Sequence, residues 1–101
     1  MSITLRGIIY PEEGVWLAHC LEMDIVAEGK TPEQALRDVI DLCHWQLQVA
    51  KKEGDIGSAF RPAPAAYWKL FFLAQKKLPV KKSFKAMKVI DGFEARELQL
   101  A

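Results

Sequence analysis

Two His-Cys steps, His19-Cys20 and Cys43-His44, are the residues of this 101-residue chain best suited by type to hold a metal ion or an activated nucleophile. Their spacing works against both. His19 and Cys20 fall on a stretch with the period of a strand, where neighbours project to opposite faces. Cys43 and His44 fall on a helical stretch and diverge by about 100°. Four ligands at a zinc-type spacing are missing. A thiol nucleophile would also need a base and an oxyanion donor that no nearby motif supplies, and there is no glycine-rich phosphate loop. Packing in the core or at an interface is the expected role of both pairs, with no cofactor, no metal and no disulfide.

The carboxylates Glu12, Glu13, Glu22, Asp24 and Glu28 crowd one short region. Hydrolysis would require them to converge in a pocket, whereas most fall at turn positions where acids are solvated, so no catalytic residue and no enzymatic activity are expected. Lys76, Lys77, Lys81, Lys82, Lys85 and Lys88 form the feature closest to a nucleic-acid footprint, with Trp68 and Phe84 near enough in sequence to stack on bases. Residues 1–50 carry three Lys/Arg against eight Asp/Glu, and residues 51–101 carry eleven against five, so an acidic half precedes a basic one. That asymmetry suits subunits that meet acidic to basic, or a basic face for an anionic partner. Without an arginine cluster or a high isoelectric point, a solvated basic face is the preferred reading and RNA or DNA binding the alternative.

The elements that must position these groups follow from periodicity. Ser2–Tyr10 alternates and then turns apolar, which predicts a strand entering the core, with Gly7 as a candidate bulge. Pro11–Gly14 is a turn by composition, Val15–Cys20 a second strand, Leu21–Asp24 a short loop, and Ile25–Glu28 a third strand, together an antiparallel meander. Thr31, Pro32 and Gln34 carry the signature of a capped helix start, and the helix should run to about Lys52 with Glu53-Gly54-Asp55 as its stop. Ile56–Ala63 is an irregular connection. Pro64–Leu78 reads as a second helix ended by Pro79, with a strand over Tyr67–Ala74 as the alternative. Asp91-Gly92 is the strongest hairpin signal, between segments Lys85–Ile90 and Phe93–Leu100 that could both be extended. Phe93–Leu100 is also passable as a helix on propensity, but a final strand that adds to the meander is the preferred reading. The fold class is therefore α+β in one domain, residues 1–55 forming the meander and main helix and residues 56–101 an extension with a helix and one or two strands.

On a helical wheel Leu36, Val39, Ile40, Cys43, Leu47 and Ala50 make one core stripe. Leu42 and Val49 lie off its side, and Trp45 points away from it, where a surface helix should be charged. Half of the residues are hydrophobic, more than a chain of this size easily hides. Trp45, Leu42, Val49, Trp68 and Phe72 are accordingly the candidate subunit or partner interface, and a homo-oligomer, most simply a dimer, is expected. No segment approaches the roughly 20 apolar residues of a membrane span and the N-terminus lacks a signal-peptide pattern, so a cytoplasmic location away from membranes is expected.

The stretch Gly14–Leu47 resembles the N-terminal domain of HicB-like antitoxins. The resemblance is carried by the strand GVWLAHC, the loop LEMD, the strand IVAEG and the helix opening KTPEQALRDVIDL, and it covers residues 3 to 50. It implies a β-β-β-α-β arrangement, a partial ribonuclease H-like fold without the catalytic carboxylates. It also implies a protein partner, an mRNA-cleaving toxin whose active site the domain masks. Full-length family members add a DNA-binding module that represses their own operon. Here the loop lacks the proline-containing segment common in antitoxins, and residues 56–101 carry no ribbon-helix-helix or helix-turn-helix signature, so the resemblance is to a short member without that module.

Overall fold

The computed structural model describes residues 3–80 and 90–98. Strands β1 (Ile3–Glu12), β2 (Val15–Cys20) and β3 (Ile25–Gly29) form the expected antiparallel meander and lead into helix α1 (Pro32–Lys52). A single 3-10 turn at Ile56–Ala59, helix α2 (Ala65–Leu73) and strands β4 (Lys76–Leu78) and β5 (Ile90–Glu97) follow. Among the described residues the sheet has five strands, in the order β3-β2-β1-β5-β4. It is mixed, because β5 runs parallel to β1 while every other pairing is antiparallel.

Local chemistry explains the boundaries. Glu13 and Gly14 both have positive φ (50° and 84°), the two-residue turn whose twist matches a hairpin. The turn is thus tighter than Pro11–Gly14, and Pro11 sits inside β1 opposite Trp16. Proline is tolerated there because β5 pairs with β1 only as far as Ile9, so the missing amide hydrogen deprives no strand. At the start of α1 the Thr31 hydroxyl accepts from the Gln34 amide at 3.1 Å, and the Gln34 side chain accepts from the Lys30 amide at 3.2 Å. The far end closes with Gly54 in the left-handed region (φ 78°), its amide donating to Lys51 and that of Asp55 to Ala50, a Schellman arrangement.

Two expectations for the second half are corrected. The second helix ends at Leu73 rather than Leu78, because Ala74 turns extended and Lys76–Leu78 pair with β5. Over Tyr67–Leu73 the chain is helical, as the preferred reading had it, and the alternative strand over Tyr67–Ala74 does not form. Asp91-Gly92 makes no hairpin turn: both lie within β5, where Ile3 pairs Ile90 and Thr4 pairs Gly92, leaving Asp91 as the extra residue of a bulge. Gly7 is not a bulge but a close approach, since a Cβ there would fall 2.6 Å from the Phe93 ring. Lys85–Val89 lie outside the described residues.

Helix α1 covers one face of the sheet, burying Leu36, Val39, Ile40, Cys43 and Leu47 against Leu5, Ile9, Ala18, Cys20 and Phe93. Helix α2 covers part of the other, where Phe71 meets Ile8, Leu21 and Ala63. The alternation of β2 is resolved by this layering: Trp16, Ala18 and Cys20 face α1, and His19 faces α2. No helix among the described residues is long and apolar enough to cross a membrane.

Candidate functional site

The groups with chemical potential are separated by the sheet. His19, 3 % exposed, lies under α2 with its ring edge-on to Tyr67 at 4.6 Å between centroids. Its Nε2 is 2.6 Å from Asp24 Oδ1, and its Nδ1 has no hydrogen-bond partner among the described residues. Asp24 reaches it because the loop after β2 places that residue in the left-handed region, φ 52°, which aspartate tolerates. On the other face Cys20 and Cys43 are both buried where α1 crosses β2. The Cys43 thiol is pushed far above its ordinary range by its hydrogen bond with Cys20 and then by burial, which keeps it a thiol and not the reactive thiolate.

The acidic group does not converge. Glu12, Glu13 and Glu28 are exposed, while Glu22 is mostly buried. Its Oε1 accepts from the Arg6 backbone amide at 2.7 Å and its Oε2 lies 3.2 Å from Arg6 Nε. Burial raises the Glu22 carboxyl above its ordinary pKa, and the Arg6 contacts oppose that shift without cancelling it. The Arg6 guanidinium in turn lies over Trp68, 5.2 Å from the ring centre, and Trp68 Nε1 donates to the Ala63 carbonyl at 3.1 Å. These contacts fasten α2 and the preceding connection to the meander.

Several large apolar side chains are left uncovered. Trp45 is 61 % exposed and Leu42 44 % on α1, with Val49 half-buried beside them; Phe72 is 62 % and Leu73 73 % exposed on α2. The two helices lie on opposite faces of the sheet, so these are two surfaces rather than one. Of the residues singled out by the sequence, Trp45 and Leu42 fall together on α1 and Phe72 on α2, whereas Trp68 is half-buried in the contacts just described. Leu73 was missed because a helix predicted to continue to Leu78 gave it no distinctive position. Val26, 46 % exposed on β3, was missed because strand alternation does not show which side lacks a cover.

The basic feature is only partly in view. Lys76 pairs with Glu97 at 3.2 Å across β4 and β5, and Lys77 is exposed. Lys81, Lys82, Lys85 and Lys88 lie outside the described residues. Beside β4, a groove of about 520 Å³ runs along the first half of α1, with Leu36, Arg37 and Ile40 on one side and Leu78, Pro79 and Val80 on the other.

No family model, no curated protein and no solved structure matches the chain.

Proposed function

We propose that this protein is a non-enzymatic interaction module of the HicB-like, antitoxin type, which self-associates and binds a protein partner. The observation that carries the reading is the pair of exposed apolar surfaces on opposite faces of the sheet, Leu42 and Trp45 on α1 and Phe72 and Leu73 on α2. Left 44–73 % exposed, each of these side chains gives up part of the about 1.5–3 kcal/mol that full burial would contribute, and neighbouring large apolar side chains at a surface favour an interaction site. Two faces allow two engagements at once, a second copy on one and a different protein on the other. The resemblance of residues 3–50 to antitoxin domains supports an mRNA-cleaving toxin as that different protein.

Purification of the tagged full chain from its native host tests the reading. A protein recovered in near-stoichiometric amount with the wild type, lost with Phe72→Glu/Leu73→Glu, and able to cleave mRNA until this chain is added, is the expected result. A strictly monomeric chain that retains no protein at micromolar concentration overturns it. Nucleic-acid binding is disfavoured at Lys76, whose ammonium is engaged by Glu97; a steep salt dependence of RNA or DNA binding would reverse that preference.

A further inference from the structure

The two ends of the sheet are finished differently. At one end β4 is three residues long and carries exposed Lys76 and Lys77, the short charged edge that resists further pairing. At the other end β3, Ile25-Val26-Ala27-Glu28-Gly29, contains neither lysine nor proline, and its outer side has no paired strand among the described residues. The apolar flank of α1 lies on that same side. Arg37 and Ile40 border the groove next to β4. Leu42 and Val49 are roughly opposite them on the helical wheel, so they project past β3.

We propose that the outer edge of β3 and the adjoining flank of α1 form a two-fold dimer interface with a second copy of this chain. It rests on the reading of the chain as a self-associating module and names the surface. Antiparallel pairing of β3 with its copy, centred on Ala27, sets Asp24 opposite Lys30, Val26 opposite Glu28 and Ile25 opposite Gly29. Each Asp24 has one oxygen held by His19 while its side chain stays 36 % exposed. It then comes within reach of a Lys30 of the other copy just beyond the ends of the paired strands, so the edge is complementary in charge to itself under a two-fold axis.

The helix layer fits the same axis. Strands are spaced about 4.8 Å apart, so the axis stands about 2.4 Å outside β3. Helix α1 packs chiefly over β3 and β2, and midway between them it is about 5 Å from the axis. An axis perpendicular to the sheet keeps both helices on one face and places them about 10 Å apart, the upper end of the spacing at which helices pack side by side. Leu42 and Val49 then meet their copies, with Trp45 closing over the top. A strand from an unrelated protein would satisfy the edge but would give no reason for that helix spacing.

Sedimentation equilibrium of the full chain over a concentration series tests the interface, with Val26→Glu, Val26→Lys and Leu42→Glu beside the wild type. The wild type should dimerise reversibly. Glu at position 26 meets Glu28 of the copy twice by symmetry, and Lys at the same position attracts it twice. The two variants should therefore differ about tenfold or more in dimer dissociation constant, Val26→Lys being the tighter. Leu42→Glu should weaken the dimer about tenfold or more. Both substituted positions are exposed, and each of the three variants should keep the circular dichroism of the folded chain. A dimer indifferent to the charge at position 26, or to Leu42→Glu, refutes this interface and leaves self-association standing. A wild type monomeric at every concentration, including one whose edge takes a partner's strand instead, removes self-association itself.

Discussion

Arg96→Met should loosen α2 before it disturbs anything else. The Arg96 guanidinium donates from Nη1 to the carbonyls of Phe71 and Ala74, at 3.2 and 3.3 Å, at the C-terminal end of α2. It also lies 4.3 Å from the Phe71 ring centre and pairs with Glu94 at 2.8 Å. The carbonyls at a helix end carry partial negative charge and lack partners within the helix, so a cation there is worth more than an ordinary surface charge. Hydrogen bonds to a charged donor contribute about 1.5–3 kcal/mol, here toward the lower end because the bonds are long, and the cation-π contact adds about 0.5–1 kcal/mol. The Glu94 pair is partly solvated and adds little. Methionine keeps the aliphatic stem, so the expected loss is about 2–3 kcal/mol. For a domain of this size that lowers Tm by about 10–20 °C. Urea unfolding gives the free energy, and amide exchange in α2 should accelerate more than exchange in β1 or α1. A loss below about 0.5 kcal/mol, or equal acceleration throughout the chain, would refute the view that Arg96 anchors α2.

Two other perturbations probe the same face. Asp24→Ala leaves the buried His19 ring without its 2.6 Å partner and puts alanine at φ 52°, so it should cost about 2–3 kcal/mol in urea unfolding, while Asp24→Asn, which tolerates that φ and keeps an acceptor, should cost less than half as much. Glu22 binds its proton more tightly folded than unfolded, so its contribution to stability falls as pH rises from the ordinary value of 4.5 toward its raised folded value and is level above that. Glu22→Gln should remove that slope from the pH dependence of the urea midpoint; an unchanged slope would assign it to another group.

The first half of the fold is legible in sequence because its signals are local. Thr31, Pro32 and Gln34 specify a helix start whatever else the chain does, and every residue of the α1 stripe is buried, with Ala35 buried beside it. The second half depends on partners distant in sequence. Asp91-Gly92 has hairpin chemistry, yet β1 offers a parallel partner and the pair becomes a bulge. Lys76–Leu78 has helix-compatible residues, yet pairing with Ala95–Glu97 captures it as a strand. The same division holds for the candidate surfaces. Trp45 stands out on a helical wheel, because a tryptophan opposite a core stripe needs a cover. The contact of His19 with Asp24 could not be read, since it depends on a loop residue in a left-handed conformation, and neither could the open edge of β3, which is defined only once the strand order is known.

Native mass spectrometry of the assembly isolated from the host through the tagged full chain tests the central claim most directly, because it counts copies of this chain and of its partner together. The account predicts two copies of this chain joined by a second protein, and loss of that protein with Phe72→Glu/Leu73→Glu while the pair of copies persists. A single copy of the chain with nothing bound would contradict it.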